Sequence, residues 1–187
     1  MPTLRYLFTL PTCSGYEMST NQLAQKPPPI LVIGVGNLYR GDDAVGRIVA
    51  QGLKREATDR VNIIEKDCDG AALMECWESA DAVILIDAVH SGALPGTILR
   101  FDAQVQPIPA TYFHYSSHAF GVAEAVELSR TLNQLPPRFI VYGIEGKCFE
   151  PGSGITGAVA EAAQDVLEQI QKDVALFVAQ GFRLDGF

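Results

Sequence analysis

Positive charge is scarce in this chain. Lysine and arginine number 14 against 22 aspartates and glutamates, so its 187 residues carry a formal charge of −8. A protein that tracks phosphates along a nucleic acid needs a basic face, so no nucleic-acid partner is expected. The same balance argues against electrostatic docking on anionic lipid. Long hydrophobic runs are also missing. No stretch reaches the ~18–20 uninterrupted apolar residues that crossing a bilayer requires, so no membrane partner is expected. An early apolar patch (Leu4, Tyr6, Leu7, Phe8, Leu10) is broken by Arg5 and is too short for the core of a signal peptide. Cysteine is sparse. Cys13, Cys68, Cys76 and Cys148 form no CxxC pair, which favours reduced thiols in the cytoplasm over a disulfide framework or a structural zinc.

Several catalytic signatures are absent as well. There is no HExxH, so a zincin mechanism has no support. There is no GxSxG nucleophile elbow. Cys148 and the histidines offer a nucleophile and a base in principle, but no local signature joins them.

What remains is the composition of a globular domain, with 48% apolar and 19% charged residues. Residues 1–29 differ from the rest. Pro2, Pro11, Gly15 and Asn21 are scattered through them and Pro27-Pro28-Pro29 closes them, with no period of 2 or 3.6. They are expected to form a poorly ordered extension, with Met18 an alternative start. Residues 30–180 are expected to be the single domain, and 181–187 a tail.

From Ile30 the pattern alternates. Ile30–Ile33 is a continuous apolar run ending at Gly34, as expected of a strand buried on both faces. Val45, Ile48, Val49 and Leu53 share one face of a helix that Asp42 and Asp43 open. Further strands are expected at 61–64, 82–86, 97–101 and 139–144, and helices at 71–77 and 119–132. A long last helix, capped by Thr156, carries Val159, Ala163, Val166, Ile170, Val174 and Phe177 on one side. This alternation predicts an α/β fold: a single three-layer domain with a twisted, mostly parallel sheet between helices. Ligands of such folds sit at the carboxyl ends of the strands, so the residues that follow strands carry the functional signal.

Three of them stand out. Asp43 follows the first strand at a helix start, Asp87 follows the apolar run Ile84-Leu85-Ile86, and His118 opens the 119–132 helix. Singly, each reads as a cap or a solvated group. If the strand ends meet, two carboxylates and an imidazole converge, and two acids at the rim of an apolar sheet need a cation. Arg40 is one source of charge. A divalent metal satisfies both acids and gives His118 a role, and an O,O,N set does not select among nickel, zinc, iron and manganese. Gly34-Val35-Gly36-Asn37 after a strand invites a dinucleotide reading. The fingerprint's third glycine is replaced by Tyr39, so no organic cofactor is expected.

The stretches Gly34-Val35-Gly36-Asn37 with Arg40-Gly41-Asp42-Asp43-Ala44-Val45-Gly46, Leu85-Ile86-Asp87-Ala88-Val89 with Pro95-Gly96-Thr97, and Ser117-His118-Ala119-Phe120-Gly121 closely resemble the motifs of the [NiFe]-hydrogenase maturation endopeptidases. Gly143-Ile144-Glu145 and Gly154-Ile155-Thr156 match the family's tail, and the likeness spans about residues 30 to 178. The resemblance implies a single α/β domain that clips a C-terminal extension from a hydrogenase large-subunit precursor after nickel insertion. It implies an aspartyl-type endopeptidase whose metal-binding residues fall on Asp43, Asp87 and His118. The nickel is supplied by the precursor and acts as a recognition element. For peptide hydrolysis, the candidate base is one of these carboxylates or a neighbour such as Asp42. Where relatives carry an Asp-Gly-Gly-Thr loop, this chain has Asp67-Cys68-Asp69-Gly70, with Asp67 aligned to the family's acid and Asp69 competing for that place. A monomer is expected. The competing readings are a metal-sensing maturation chaperone that does not cleave, and a nucleotide-binding module.

Overall fold

The computed structural model describes residues 30–55, 60–113 and 120–181. Its centre is a five-stranded sheet: β1 (Ile30–Val35), β2 (Val61–Lys66), β3 (Ala82–Val89), β4 (Ile98–Asp102) and β5 (Arg138–Glu145), in the order β2-β1-β3-β5-β4. β1, β2, β3 and β5 run parallel, and β4 pairs antiparallel with β5 at one edge. The helices are α1 (Val45–Lys54), α2 (Gly70–Trp77), α3 (Val122–Thr131) and α4 (Gly157–Gly181). The mixed, mostly parallel sheet between helix layers is the architecture the sequence predicts.

Strand composition follows strand position. β1 and β3 are flanked on both sides and covered on both faces, and every one of their residues is buried. An internal parallel strand meets protein in all directions, so it carries no polar alternation. Edge strand β2 is only partly covered. One core lies between the sheet and α1 with α4: Val32, Ile84, Ile86 and Tyr142 against Val45, Val49, Val159, Val166 and Ile170. The other lies on the opposite face, where Ile33, Leu85, Phe139 and Val141 meet Leu73, Trp77, Val122 and Val126 of α2 and α3. The Trp77 indole stands edge-on to Phe139 and donates to Ser129 Oγ at 3.2 Å, so its polar end is satisfied inside the core.

Element boundaries differ from expectation in three instructive places. β3 does not stop at Ile86. Asp87, Ala88 and Val89 continue the ladder opposite Gly143, Ile144 and Glu145, because β5 extends equally far beside them. α3 begins at Val122 rather than Ala119. Gly121 is extended (φ −107°, ψ −160°) and its N–H donates to Glu124 Oε2 at 3.1 Å, which sets the helix start after it. On α1, Val45, Val49 and Leu53 are buried as expected, but Gly46 and Ala50 join them and Ile48 is only partly covered. No helix among the described residues is long and apolar enough to cross a membrane. Residues 1–29 and 182–187, and with them the predicted extension and most of the tail, lie outside the described residues.

Candidate active site

The site is built where β1 and β3 end. β1 turns at Gly36, whose φ of +130° suits only glycine, and a Cβ there would overlap the Asp43 carbonyl oxygen. Gly46, at the start of α1, lies so close that a Cβ would overlap the carbonyl oxygens of both Val35 and Ile86. A Cβ on Gly34 would run into the Gly46 carbonyl and sit 2.6 Å from Ala50 Cβ. The GxG that closes β1 is therefore a packing device. It draws the 3-10 turn Gly41–Ala44 and α1 down onto β1 and β3, and so carries Asp43 to Asp87.

Asp87 is 5% exposed, and the neighbouring Ala88 N–H donates to its Oδ1 at 2.8 Å. Burial pushes its carboxyl well above the ordinary range, the negative charge of Asp43 pushes it further, and the Ala88 bond opposes both. Asp43 is half-buried, and its Oδ2 accepts the Asn37 N–H at 3.3 Å. Burial raises its carboxyl as well, against the pull of the Arg40 charge and the Asn37 bond. Two acids from different elements thus come close enough for the charge of one to act on the other, each made reluctant to ionise. That environment is suited to a shared cation or a transferable proton.

His118, the third expected ligand, lies outside the described residues. Those on either side of its segment are anchored on the Asp87 face of the sheet: Phe113 packs into the α2–α3 core, and the Phe120 carbonyl accepts the Gly70 N–H at 3.1 Å. Among the described residues, no three His, Cys, Asp or Glu side chains gather as a metal-ligand set.

Asp42, the other candidate base, sits in a different environment. It is fully buried, and its carboxylate accepts four hydrogen bonds: Lys147 N–H (2.8 Å) and Cys148 N–H (2.9 Å) at Oδ2, Thr156 hydroxyl (3.0 Å) also at Oδ2, and Thr156 N–H (2.7 Å) at Oδ1. Burial works to raise its carboxyl, but the bonds from Thr156, Cys148 and Lys147 outweigh it and hold the group below its ordinary range. A carboxylate so engaged is a poor proton acceptor. It fastens the 147–156 loop to the turn that carries Asp43. Thr156 stands just before α4, where a cap is expected, with its carbonyl accepting the Ala160 N–H at 2.9 Å, and its hydroxyl donates to Asp42.

The loop after β2 also resolves into separate roles. Asp69 caps α2, accepting the Ala72 N–H at 3.0 Å, while Asp67 remains well exposed and pairs with Arg47 at 3.3 Å. Glu145, which the sequence motifs leave without a role, has a structural one. It is 1% exposed at the end of β5 and accepts the Ser91 N–H (2.8 Å), Ser91 hydroxyl (2.7 Å) and Gly92 N–H (3.0 Å). It thereby pins the loop that leaves β3, with His90 Nδ1 4.0 Å from its Oε1. An acid ending an apolar strand was its signal, the same one that marks Asp87.

Comparison with known proteins gives this geometry a context. The family model HycI, hydrogenase maturation protease, matches residues 47–173. The hydrogenase 2 maturation protease of Escherichia coli (strain K12) is 28% identical over 145 residues, covering 75% of this chain and 87% of that protein. The hydrogenase expression/formation protein HupD of Rhizobium leguminosarum bv. viciae is 27% identical over 154 residues, 75% of this chain and 76% of that protein. Among solved structures, the hydrogenase maturating endopeptidase HybD from E. coli superposes with a TM-score of 0.67 at 27% identity, covering 81% of this chain and 93% of that one. The chain belongs to the hydrogenase maturation protease family and is a hydrolase of peptide bonds.

Proposed function

We propose that this protein is the endopeptidase that removes the C-terminal extension of a nickel-loaded [NiFe]-hydrogenase large-subunit precursor, reading the precursor's own nickel as its recognition element. The observation that carries the proposal is the pair Asp43 and Asp87: two partly or wholly buried carboxylates, with the charge of one felt by the other. A crevice of that kind is poorly satisfied by a neutral peptide and well satisfied by a cation delivered with one. Family membership supports the peptidase over a chaperone that does not cleave. The glycines after β1 are occupied in packing chain against chain, so they lend the nucleotide-binding reading no support.

In this reading the substrate's nickel docks between Asp43, Asp87 and His118, and the scissile peptide is thereby held beside the same acids. Hydrolysis requires a base to take a proton from water as it attacks the carbonyl, and an acid to return a proton to the leaving amine. With Asp42 committed to the 147–156 loop, Asp43 and Asp87 are the carboxylates left for this duty. The raised affinity of both for a proton suits a group that must accept one and give it back. An empty precursor leaves the two acids with only the Arg40 charge, acting on Asp43, to offset them, which gives the nickel requirement a physical basis. The reading places the protein in the cytoplasm as a monomer.

The test presents the same precursor, with and without nickel, to the enzyme at equal concentration and follows the products by mass spectrometry. Release of a C-terminal peptide from the loaded form alone is the expected result. Equal cleavage of both forms, or of neither, overturns the proposal.

A further inference from the structure

We propose that the groove between α2 and α3 is occupied by this chain's own residues 4–10, docked there by their apolar side chains. The groove has a volume of about 320 Å³. Trp77, 1% exposed, forms its floor, with Ala71 and Met74 of α2 on one side and Phe120 and Leu128 on the other. Leu128 is 40% exposed, and Leu132, four residues on, is 51% exposed. Glu75 and Glu78 stand exposed at the α2 rim, and neither is paired with a cation among the described residues. An apolar groove with uncompensated acids at its rim fits an apolar segment that carries positive charge.

The sequence contains such a segment. Residues 4–10 hold Leu4, Tyr6, Leu7, Phe8 and Leu10 around a single charge, Arg5. They lie outside the stretch that resembles the family motifs, and the active site makes no use of them. Charge sets this end of the chain apart. Arg5 and Lys26 against Glu17 give residues 1–29 a charge of +1, which leaves −9 on the remainder of a chain that totals −8. A second copy of that acidic domain brings like charge to the groove, whereas residues 4–10 bring Arg5 to Glu75 and Glu78.

The point of attachment agrees. Residues 1–29 join the sheet at Ile30, which lies opposite Val61 and Ala82 at the amino ends of the parallel strands. Ala82 is itself opposite Arg138. Two groove residues, Glu78 and Gln134, lie in the connections that lead to Ala82 and Arg138. The groove therefore reaches the end of the sheet where the leading segment enters. With 8 and 10 residues, α2 and α3 are only about 12 and 15 Å long. Extended chain covers ~3.3 Å per residue, so residues 11–29 span that distance with slack. A tethered segment meets its site at an effective concentration on the order of mM, so a contact of this size is populated without high affinity.

Hydrogen exchange of the full-length protein, followed by mass spectrometry in the peptide that covers residues 4–10, tests the docking. The expected result is exchange at least about tenfold slower than that of an unstructured chain, at every protein concentration. Leu128→Asp, on the groove wall, is expected to abolish the protection. Leu176→Asp, at an exposed position of α4 on the other face of the sheet, is expected to leave it unchanged. A charge swap on the exposed rim keeps the test readable if Leu128→Asp does not fold. Glu75→Arg with Glu78→Arg is expected to remove the protection, and adding Arg5→Glu to restore it. Exchange of residues 4–10 at the unstructured rate in wild type overturns the proposal. So does protection that survives either groove variant in folded protein, or that is lost equally in Leu176→Asp. Protection that appears only as concentration rises assigns the groove to a second copy and overturns the proposal as well.

Discussion

Thr156 donates twice to Asp42, from its N–H at 2.7 Å and from its hydroxyl at 3.0 Å, across 114 residues of sequence. Asp42 in turn donates its own N–H to the Cys148 carbonyl at 2.8 Å, so the turn before α1 and the loop before α4 are tied reciprocally. Both loops sit at the carboxyl ends of parallel strands, where the candidate site lies.

Removing the receiving carboxylate strands several buried donors at once. Each unmade bond of this kind costs roughly 1–3 kcal/mol, so Asp42→Ala is expected to lose about 3 kcal/mol or more. Thr156→Val deletes only the hydroxyl bond and is expected to cost about 1 kcal/mol, with Thr156→Ser close to wild type. Urea unfolding midpoints check the series. An Asp42→Ala protein as stable as wild type would show that the loop does not depend on this anchor.

Asp87→Asn is expected to fold and to lose processing of nickel-loaded precursor, because the amide cannot supply the negative charge. Its stability should also change in a pH-dependent way. Burial, reinforced by Asp43, holds the folded Asp87 carboxyl well above its ordinary 3.8, so the folded protein binds that proton more tightly than the unfolded chain. Its contribution is therefore fully present below the ordinary value and is lost as pH rises toward the folded one. Asp42, held low, acts with the opposite sign: its contribution is present above its ordinary value and is lost as pH falls. The prediction is that Asp87→Asn flattens the decline in stability above pH ~4 in metal-free protein. Thermal melts of both proteins across pH 4 to 8 measure it, and parallel curves would contradict it.

Gly46→Ala tests the close approach of α1 to the sheet. Its new methyl would overlap two backbone oxygens, those of Val35 and Ile86, and neither can swing aside as a side chain can. Overpacking of this kind costs about 1–3 kcal/mol or more, and the shift moves Asp43 away from Asp87. A lowered melting temperature and a loss of processing larger than the loss of stability are expected. Wild-type kinetics in this variant would separate the glycines from the site.

The sequence announces most of the fold because the inner strands are unbroken apolar runs, as at Ile30–Ile33 and Ala82–Ile86. It marks Asp43 and Asp87 only in combination and by the family resemblance, since singly an acid at a helix start or a strand end reads as a cap or a solvated group. It misleads at Asp87 itself, where polarity suggests the end of a strand although the ladder continues to Val89. It cannot distinguish Asp42 from Asp43, adjacent residues of one type, because their difference lies in the loop at 147–156 that reaches only one of them. The antiparallel direction of β4 is hidden for a similar reason: Ile98–Asp102 reads as a strand in either orientation, and only pairing with β5 decides it.

The continuation of β3 through Asp87 bears on how the empty crevice behaves. A carboxylate mounted on a strand still paired with β5, opposite Gly143, has little backbone freedom with which to retreat from its neighbour. Relief beyond the pull of Arg40 on Asp43 arrives from outside, as a proton or a positively charged visitor. Amide hydrogen exchange along this strand should therefore slow when cargo is seated, making the centre of the sheet itself the reporter of loading.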